Sequence, residues 1–248
     1  MLKTIAIIPA RYASTRFPGK PLVDIQGISM IERVYRNVEK ARNIDEVWVA
    51  TDDGRIEDKV LSFGGKCIMT STTHQTGSDR IAEAIEKLRA DVVVNVQGDE
   101  PLIEGDVLEQ LVEPFVNDQQ LKMSTLKTKI VDSEEVQDPN VVKVITDETG
   151  KAIYFSRSPI PYNRDNRTIT YFKHIGVYAY RYDFLSEYVK MKQTPLEIAE
   201  SLEQLRVIEN GIQIQVVETD HKFISVDTPS DLDKVNDFLL SIQGVGNG

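Results

Sequence analysis

Apolar positions alternate between two periodicities along the first 116 residues. Short runs rich in Ile and Val, at 4–8, 46–50, 66–69 and 91–96, have the length and composition of strands. Between them, apolar residues return at helical spacing. Met30, Ile31, Val34, Tyr35, Val38 and Ala41 form one such face, and Ile56, Val60 and Phe63 a second. Ile81, Ala82, Ile85 and Leu88 form a third, and Val107, Leu108, Leu111, Val112 and Phe115 a fourth. Local signals place the ends of these helices. Ser29 is positioned as an N-cap, Thr51-Asp52-Asp53 opens the second helix, and Gly64-Gly65 stops it. Thr76 and Asp79 have capping-box spacing, with Asp in place of the usual Glu. The run at 91–96 is nearly all valine, the composition of a strand covered on both faces of a parallel sheet. This alternation predicts an α/β fold with a doubly wound, mostly parallel, Rossmann-like sheet.

After residue 116 the pattern changes. Runs at 122–129, 141–146, 152–156 and 173–180 read as strands with few helices between them. They predict a strand-rich subdomain at about 122–181, within a single domain spanning 1–248. Helices are expected near 182–192 and 196–210, then a strand at 213–218 and a last helix from Pro229. Thr228 as N-cap, Pro229 at the first helical position and Asp231 at the third define that last start.

The net charge is -10, which argues against a broad nucleic-acid footprint, so clustered cations should serve a local anionic ligand. The one cysteine, Cys67, excludes an internal disulfide framework and suits a reducing compartment, and it reads as a small buried residue. No apolar run approaches the ~18 residues of a membrane span, and the N-terminal apolar run is too short for a signal peptide core. A cytoplasmic protein without membrane or nucleic-acid partners is the expectation.

Ligands of open α/β sheets bind beyond the carboxyl ends of the strands. Three loops there carry unusual residues. The stretch IIPARYASTRFPGKPL gathers Arg11, Arg16 and Lys20 among the small residues Ala10, Ala13, Ser14 and Gly19. Such a loop brings backbone amides and cations close to phosphate, although it is neither a Walker A loop nor a G-x-G-x-x-G fingerprint. The stretch NVQGDEP follows the valine strand, and its Asp99 is placed to hold Mg²⁺ or, alternatively, to cap the next helix. In SVDTP, Asp227 alone reads as a turn residue; with Asp99 it would complete a two-carboxylate metal site. Spacing does not show that pairing. Cations for phosphate and carboxylates for Mg²⁺ together suggest phosphoryl or nucleotidyl transfer.

The segments IIPARYASTRFPGKPL, NVQGDEPLI, YFSRSPIP, KHIGVYAY, LEQLR and VDTPSDL resemble those of the 3-deoxy-manno-octulosonate cytidylyltransferases, the CMP-Kdo synthetases. The matching blocks run in order from residue 5 to about 232. Tyr12, Arg16-Phe17 and Lys20-Pro21-Leu22 favour this branch over the sialic-acid enzymes. The resemblance implies attack of the anomeric hydroxyl of 3-deoxy-D-manno-octulosonate (Kdo) on the α-phosphorus of CTP. The products would be pyrophosphate and CMP-Kdo, a precursor for lipopolysaccharide. It implies that Arg11, Arg16 and Lys20 cradle the triphosphate and that Asp99 and Asp227 hold the Mg²⁺ cofactor, these five being the catalytic set. Ala10, Ser14, Gln75, Gly77 and Arg80 would complete the CTP site, the last three beside the base and ribose. Arg157 would clamp the sugar carboxylate, and Gln97, His174, Tyr178, Glu203 and Gln204 would bind the sugar. His74 reads as structural or exposed rather than as a general base. A homodimer using the strand-rich half is a further implication. An enzyme for the 8-amino analogue of Kdo, and a binding protein without catalysis, are the alternatives; retention of Lys20, Asp99 and Asp227 argues against the second.

Overall fold

A computed structural model describes residues 2–13, 17–74, 76–165 and 167–245. The chain forms two compact units, residues 1–109 with 222–248, and residues 110–221.

In the first unit, β1 (Thr4–Ala10) runs through a loop to a small hairpin of β2 (Asp24–Ile25) and β3 (Ile28–Ser29). Helix α1 (Met30–Val38), β4 (Glu46–Thr51), α2 (Gly54–Ser62), β5 (Cys67–Met69), α3 (Gly77–Ile85), β6 (Val92–Asn95) and α4 (Gly105–Val112) follow. Outside the antiparallel β2–β3 hairpin, the strands are parallel, in the order β6-β1-β4-β5. Every residue of β6 is buried, as the valine run predicts, and Ile5, Ile7 and Ile8 of β1 have no exposed surface. Each such side chain stabilises the sheet by roughly 1.5–3 kcal/mol relative to exposure.

The strand order has a consequence for binding. The chain leaves β1 towards β4 and β5 and later returns to the other side of β1 as β6. The loops after β1 and β6 therefore diverge, and a crevice opens between them at the carboxyl ends.

The second unit contains α5 (Pro114–Asn117), β7 (Met123–Lys129), α6 (Ser133–Gln137), β8 (Lys143–Thr146), β9 (Ala152–Ser156) and β10 (Phe172–Arg181). It continues with α7 (Tyr182–Tyr188), α8 (Pro195–Glu200), α9 (Leu205–Glu209) and β11 (Ile214–Glu218). Strand β7 pairs parallel with β11 and antiparallel with β10, and β8 lies antiparallel to both β10 and β9. The expected strands are present within a residue or two.

One helix differs. The apolar spacing at 196–210 predicts a continuous helix, but Ser201 adopts the left-handed conformation (φ 52°), and the segment breaks into α8 and α9. Leu202, buried, closes the end of α8 by donating its N–H to the Glu197 carbonyl. The last helix, α10 (Pro229–Val245), belongs to the first unit. Its start has the predicted reciprocal cap: the Thr228 amide donates to Asp231 at 3.0 Å, and the Asp231 amide to the Thr228 hydroxyl at 3.4 Å. Cys67 is half-buried rather than fully buried, and desolvation pushes its thiol up to about 12.

Candidate active site

The crevice at the ends of β1 and β6 holds a cavity of about 370 Å³. Ala10, Arg11 and Lys20 line it from the first loop, Gln97, Gly98 and Asp99 from the loop after β6, and Gly77 from the start of α3. Each part has a local reason to be there. The first loop is closed by the Gly19 amide donating to the Tyr12 carbonyl at 2.9 Å. Gly19 sits at φ 72°, and a Cβ there would press on the Tyr12 ring at 3.2 Å. The ring is covered by Arg55, whose guanidinium carbon lies 3.3 Å from the ring centroid and which is paired with Asp53 at 2.6 Å. Gly19 leads into a short 3₁₀ turn at Lys20–Leu22, which sets the direction of the Lys20 side chain. Gly98 lies so close to the main chain of β1 that a Cβ would meet the Pro9 carbonyl at 3.0 Å.

Lys20 joins the three loops electrostatically. Its ammonium donates to Asp99 at 2.7 Å and to Asp227 at 3.2 Å. The pairing of those two carboxylates, which spacing alone did not show, is thus present around one cation. Arg11 is different: its Nη2 is shielded from solvent and has no hydrogen-bond partner among the described residues. A donor of this kind is costly to leave unmade, and an anionic ligand in the cavity would satisfy it.

Behind the carboxylates, Glu100 is buried and accepts a hydrogen bond from Ser225. Burial, with further repulsion from Asp99 and Asp227, raises its pKa to about 7.

The expected base-side residues divide. The capping box of Thr76 and Asp79 is formed, and Gly77 faces the cavity. Arg80 has no accessible surface; its guanidinium is bound by Asp52 at 2.6 Å and by Thr70, so it braces the base of this loop. His74 contacts Glu83, which also accepts the Ser71 amide at 2.9 Å. These contacts hold the Glu83 carboxyl below its usual range and pin the 71–74 turn to α3. Ser14, Arg16 and Gln75 lie outside the described residues.

The second unit gathers the other predicted residues. His174 on β10 bonds Thr125 at 3.0 Å, and its ring lies 5.0 Å from Phe155 and 5.4 Å from Tyr178. The protein packed around it pushes its pKa down to about 3, so the imidazole is neutral near pH 7. Burial raises the Tyr178 phenol, with Glu203 adding repulsion, and the ring keeps its proton. The Tyr188 hydroxyl stands 3.5 Å from the Glu203 carboxylate. Gln204 is buried, and its Nε2 has no hydrogen-bond partner among the described residues, a second donor suited to a ligand.

Arg157 is placed otherwise than a free carboxylate clamp. Its guanidinium donates to the carbonyls of Glu200 at 2.8 Å, Pro139 at 2.9 Å and Ser201 at 3.4 Å. It thereby ties the 139 turn to the corner between α8 and α9 that carries Glu203 and Gln204. Lys143, fully buried, holds the same turn through the carbonyls of Asp138 at 2.9 Å and Val141 at 2.6 Å. Sequence reasoning did not reach the Tyr12–Arg55 stack, the Glu100–Ser225 bond or the Lys143 brace. The first two depend on contacts between distant segments, and the third on the burial of a lysine against its own turn. Only Gly19, beside two prolines and a lysine, offered a local signal.

A family model described as cytidylyltransferase matches residues 5–214. The 3-deoxy-manno-octulosonate cytidylyltransferase of Fusobacterium nucleatum is 54% identical over 239 residues, covering 96% of this chain and 97% of the relative. That of Geobacter metallireducens is 52% identical over 254 residues, covering 98% and 100%. Among solved structures, CMP:2-keto-3-deoxy-manno-octonic acid synthetase complexed with CTP superposes with a TM-score of 0.93 at 44% identity, over 96% of this chain and 99% of that one. A 4-diphosphocytidyl-2C-methyl-D-erythritol synthase from Anaerococcus prevotii shares the fold, with a TM-score of 0.64 at 17% identity.

Proposed function

The chain belongs to the 3-deoxy-manno-octulosonate cytidylyltransferases, and on that premise we propose that it transfers CMP from CTP to the anomeric hydroxyl of Kdo, releasing pyrophosphate. The observation that carries this reading is the cavity at the diverging loops. There an unpartnered Arg11 donor and the Lys20 ammonium face a space bordered by Asp99.

Arg11 and Lys20 stabilise the charge that passes from the α-phosphate to the departing pyrophosphate. Fixed donors in a shielded site act strongly on such charge, because they need no reorganisation during the reaction. Gly77 and Gly98 have no side chains, so the nucleotide can approach the backbone at the start of α3 and beside β1. The donor set also fits a divalent cation: two carboxylates already converge on one positive charge, and Mg²⁺ commonly takes one or two from protein, with phosphate and water completing its shell. Asp99 and Asp227 would hold Mg²⁺, which when bound supplies Lewis-acid neutralisation at the α-phosphate and lowers the pKa of the attacking hydroxyl.

On the sugar side, His174 and Tyr178 offer neutral hydrogen bonds to hydroxyls, Gln204 offers a free amide donor, and Glu203 accepts. Gln97 lies on the nucleotide-side cavity. Arg157 either meets the sugar carboxylate or holds the corner that does; the two roles separate in the variants described below. Homodimerisation through the second unit is supported by its exposed Val131, Ile153 and Tyr162. Among the described residues no helix is long and apolar enough to cross a membrane, and a cytoplasmic location is our reading from the single cysteine.

The test is pyrophosphate release from CTP and Mg²⁺ with Kdo, 8-amino-Kdo and N-acetylneuraminate side by side. Release with Kdo is the expected result. Preference for the amino sugar would move the specificity, and silence with all three in a folded, CTP-binding sample would overturn the assignment.

A further inference from the structure

The loops that carry Asp99 and Asp227 are fastened together behind their carboxylates. The Val226 amide donates to the Asp99 carbonyl at 2.9 Å, and beside that bond the Ser225 hydroxyl donates to Glu100 Oε1. Both loops are anchored. Val226 is fully buried in a cluster with Ile25, Met30 and Leu102, and Glu100 is held by main-chain bonds to Gln97 and Ile103. Glu100 is only 8% exposed, and its second carboxyl oxygen has no hydrogen-bond partner among the described residues.

A buried carboxyl so placed is costly for folding, since its desolvation is answered by one hydroxyl and its nearest charged neighbours include Asp99 and Asp227. An apolar side chain would fill the same space at less cost. The carboxyl does achieve one thing an apolar residue would not: a side-chain bond across the two loops, one residue after Asp99 on one and two residues before Asp227 on the other.

We propose that Glu100 and Ser225 form a clasp that fixes the separation of Asp99 and Asp227, so that the two carboxylates close on one cation without rearranging. They are positioning residues and not metal ligands, and the proposal rests on the Mg²⁺ reading above. Outer partners of metal ligands act in this way by holding the ligand geometry before the metal arrives. Neither Glu100 nor Ser225 lines the nucleotide cavity, so their effect should pass through the metal-dependent part of binding.

The experiment is calorimetric titration of CTP into the full-length protein, once with excess Mg²⁺ and once with EDTA. The ratio of the two affinities is the metal-dependent gain. Glu100→Ala and Ser225→Ala are each expected to lower that gain about tenfold, the scale seen for lost outer-shell partners. The double variant should lose little more than either single one, because both remove the same bond. Glu100→Gln retains an oxygen that accepts from Ser225 and should stay within about twofold of the parent, as a positioning role requires.

Glu100→Gln as weak as Glu100→Ala would assign the effect to charge and overturn the clasp. Additive losses, or an unchanged gain in Ser225→Ala, would overturn it as well. Ser225→Ala carries the test alone if Glu100→Ala does not fold. Failure of the underlying metal reading has a separate signature: no Mg²⁺ gain in the parent protein, or a full gain retained in Asp99→Asn, before any clasp variant is made.

Discussion

Two arginines show how the two units differ. Arg11, in the first unit, borders a cavity and keeps a shielded donor without a partner. Arg157, in the second, has its guanidinium on three main-chain carbonyls. The lysines follow the same division: Lys20 lines the cavity between two carboxylates, whereas Lys143 is buried against the carbonyls of a turn. Charge at the cavity of the first unit is available to a ligand, whereas Arg80 in the same unit is bound by Asp52. In the second unit Arg157 and Lys143 hold a corner in place, and the groups left for recognition are the uncharged His174, Tyr178 and Gln204 beside the Glu203 carboxylate. A polyphosphate needs the first arrangement, and a polyhydroxylated sugar is suited to the second, where hydrogen bonds discriminate by position.

The largest expected effect is on the charged side. Asp99→Asn should lower turnover with Mg²⁺ by at least about 100-fold, the scale of losing one main electrostatic element. Steady-state pyrophosphate release measures it, and turnover near that of the parent would remove Asp99 from the metal site.

The next test sets the two arginines against each other. Arg11→Ala should raise the CTP KM about tenfold and leave the sugar KM near the parent value, as expected for loss of a charge-assisted hydrogen bond worth roughly 1.5–3 kcal/mol. Arg157→Ala should do the reverse. Equal changes in both constants for either variant would erase the contrast between the units. Arg157→Lys sharpens it: a point charge can attract a carboxylate but cannot hold three carbonyls, so a lysine as poor as alanine would favour the bracing role.

Smaller again is the effect of Gly19→Ala. The left-handed conformation and the Tyr12 ring together should cost about 1–2 kcal/mol, read as a lower urea midpoint with a raised CTP KM. Tyr12→Ala in the same background would relieve the clash without relieving the backbone strain.

The last test concerns pH dependence. His174 has a folded pKa of about 3 against an unfolded value near 6.5, so below 6.5 the unfolded chain binds the extra proton. The stability contributed by the neutral imidazole is therefore complete above pH 6.5 and is lost as pH falls towards 3. Urea midpoints between pH 7 and 4 should fall less steeply in His174→Asn than in the parent. Sugar binding should meanwhile show no histidine titration between pH 6 and 8, and an inflection there would contradict a neutral His174.

How much of this was legible in advance varies by element. The valine run of β6, the periodic faces of α1 and α2 and the caps of α3 and α10 are local features, and each was readable from a few adjacent residues. The break at Ser201 was not, because a non-glycine residue in the left-handed region is held there by the buried Leu202 and the closing bond to Glu197. The β2–β3 hairpin was also missed; two residues per strand are too short for any periodicity to register. In the site, Arg11, Lys20 and Asp99 stood out because charge beside a strand end is unusual. Arg80 stood out only through the family resemblance, and its charge is consumed internally by Asp52 and Thr70.

The sequence by itself determined the alternation of strands and helices, the parallel character of the first half, the strand-rich second half and the chemical kind of the candidate groups. These depend on spacing and composition, which act over a few residues. Only the tertiary structure decided which charges face a ligand and which are bound within the protein, since that depends on what a distant segment brings within 3 Å. Lys20, Asp99 and Asp227 are separated by 79 and 207 positions from the lysine and nevertheless share one ion-pair cluster. No local pattern encodes that meeting. The crossing of the chain from one side of β1 to the other, and the burial of Val226 beneath the second loop, produce it.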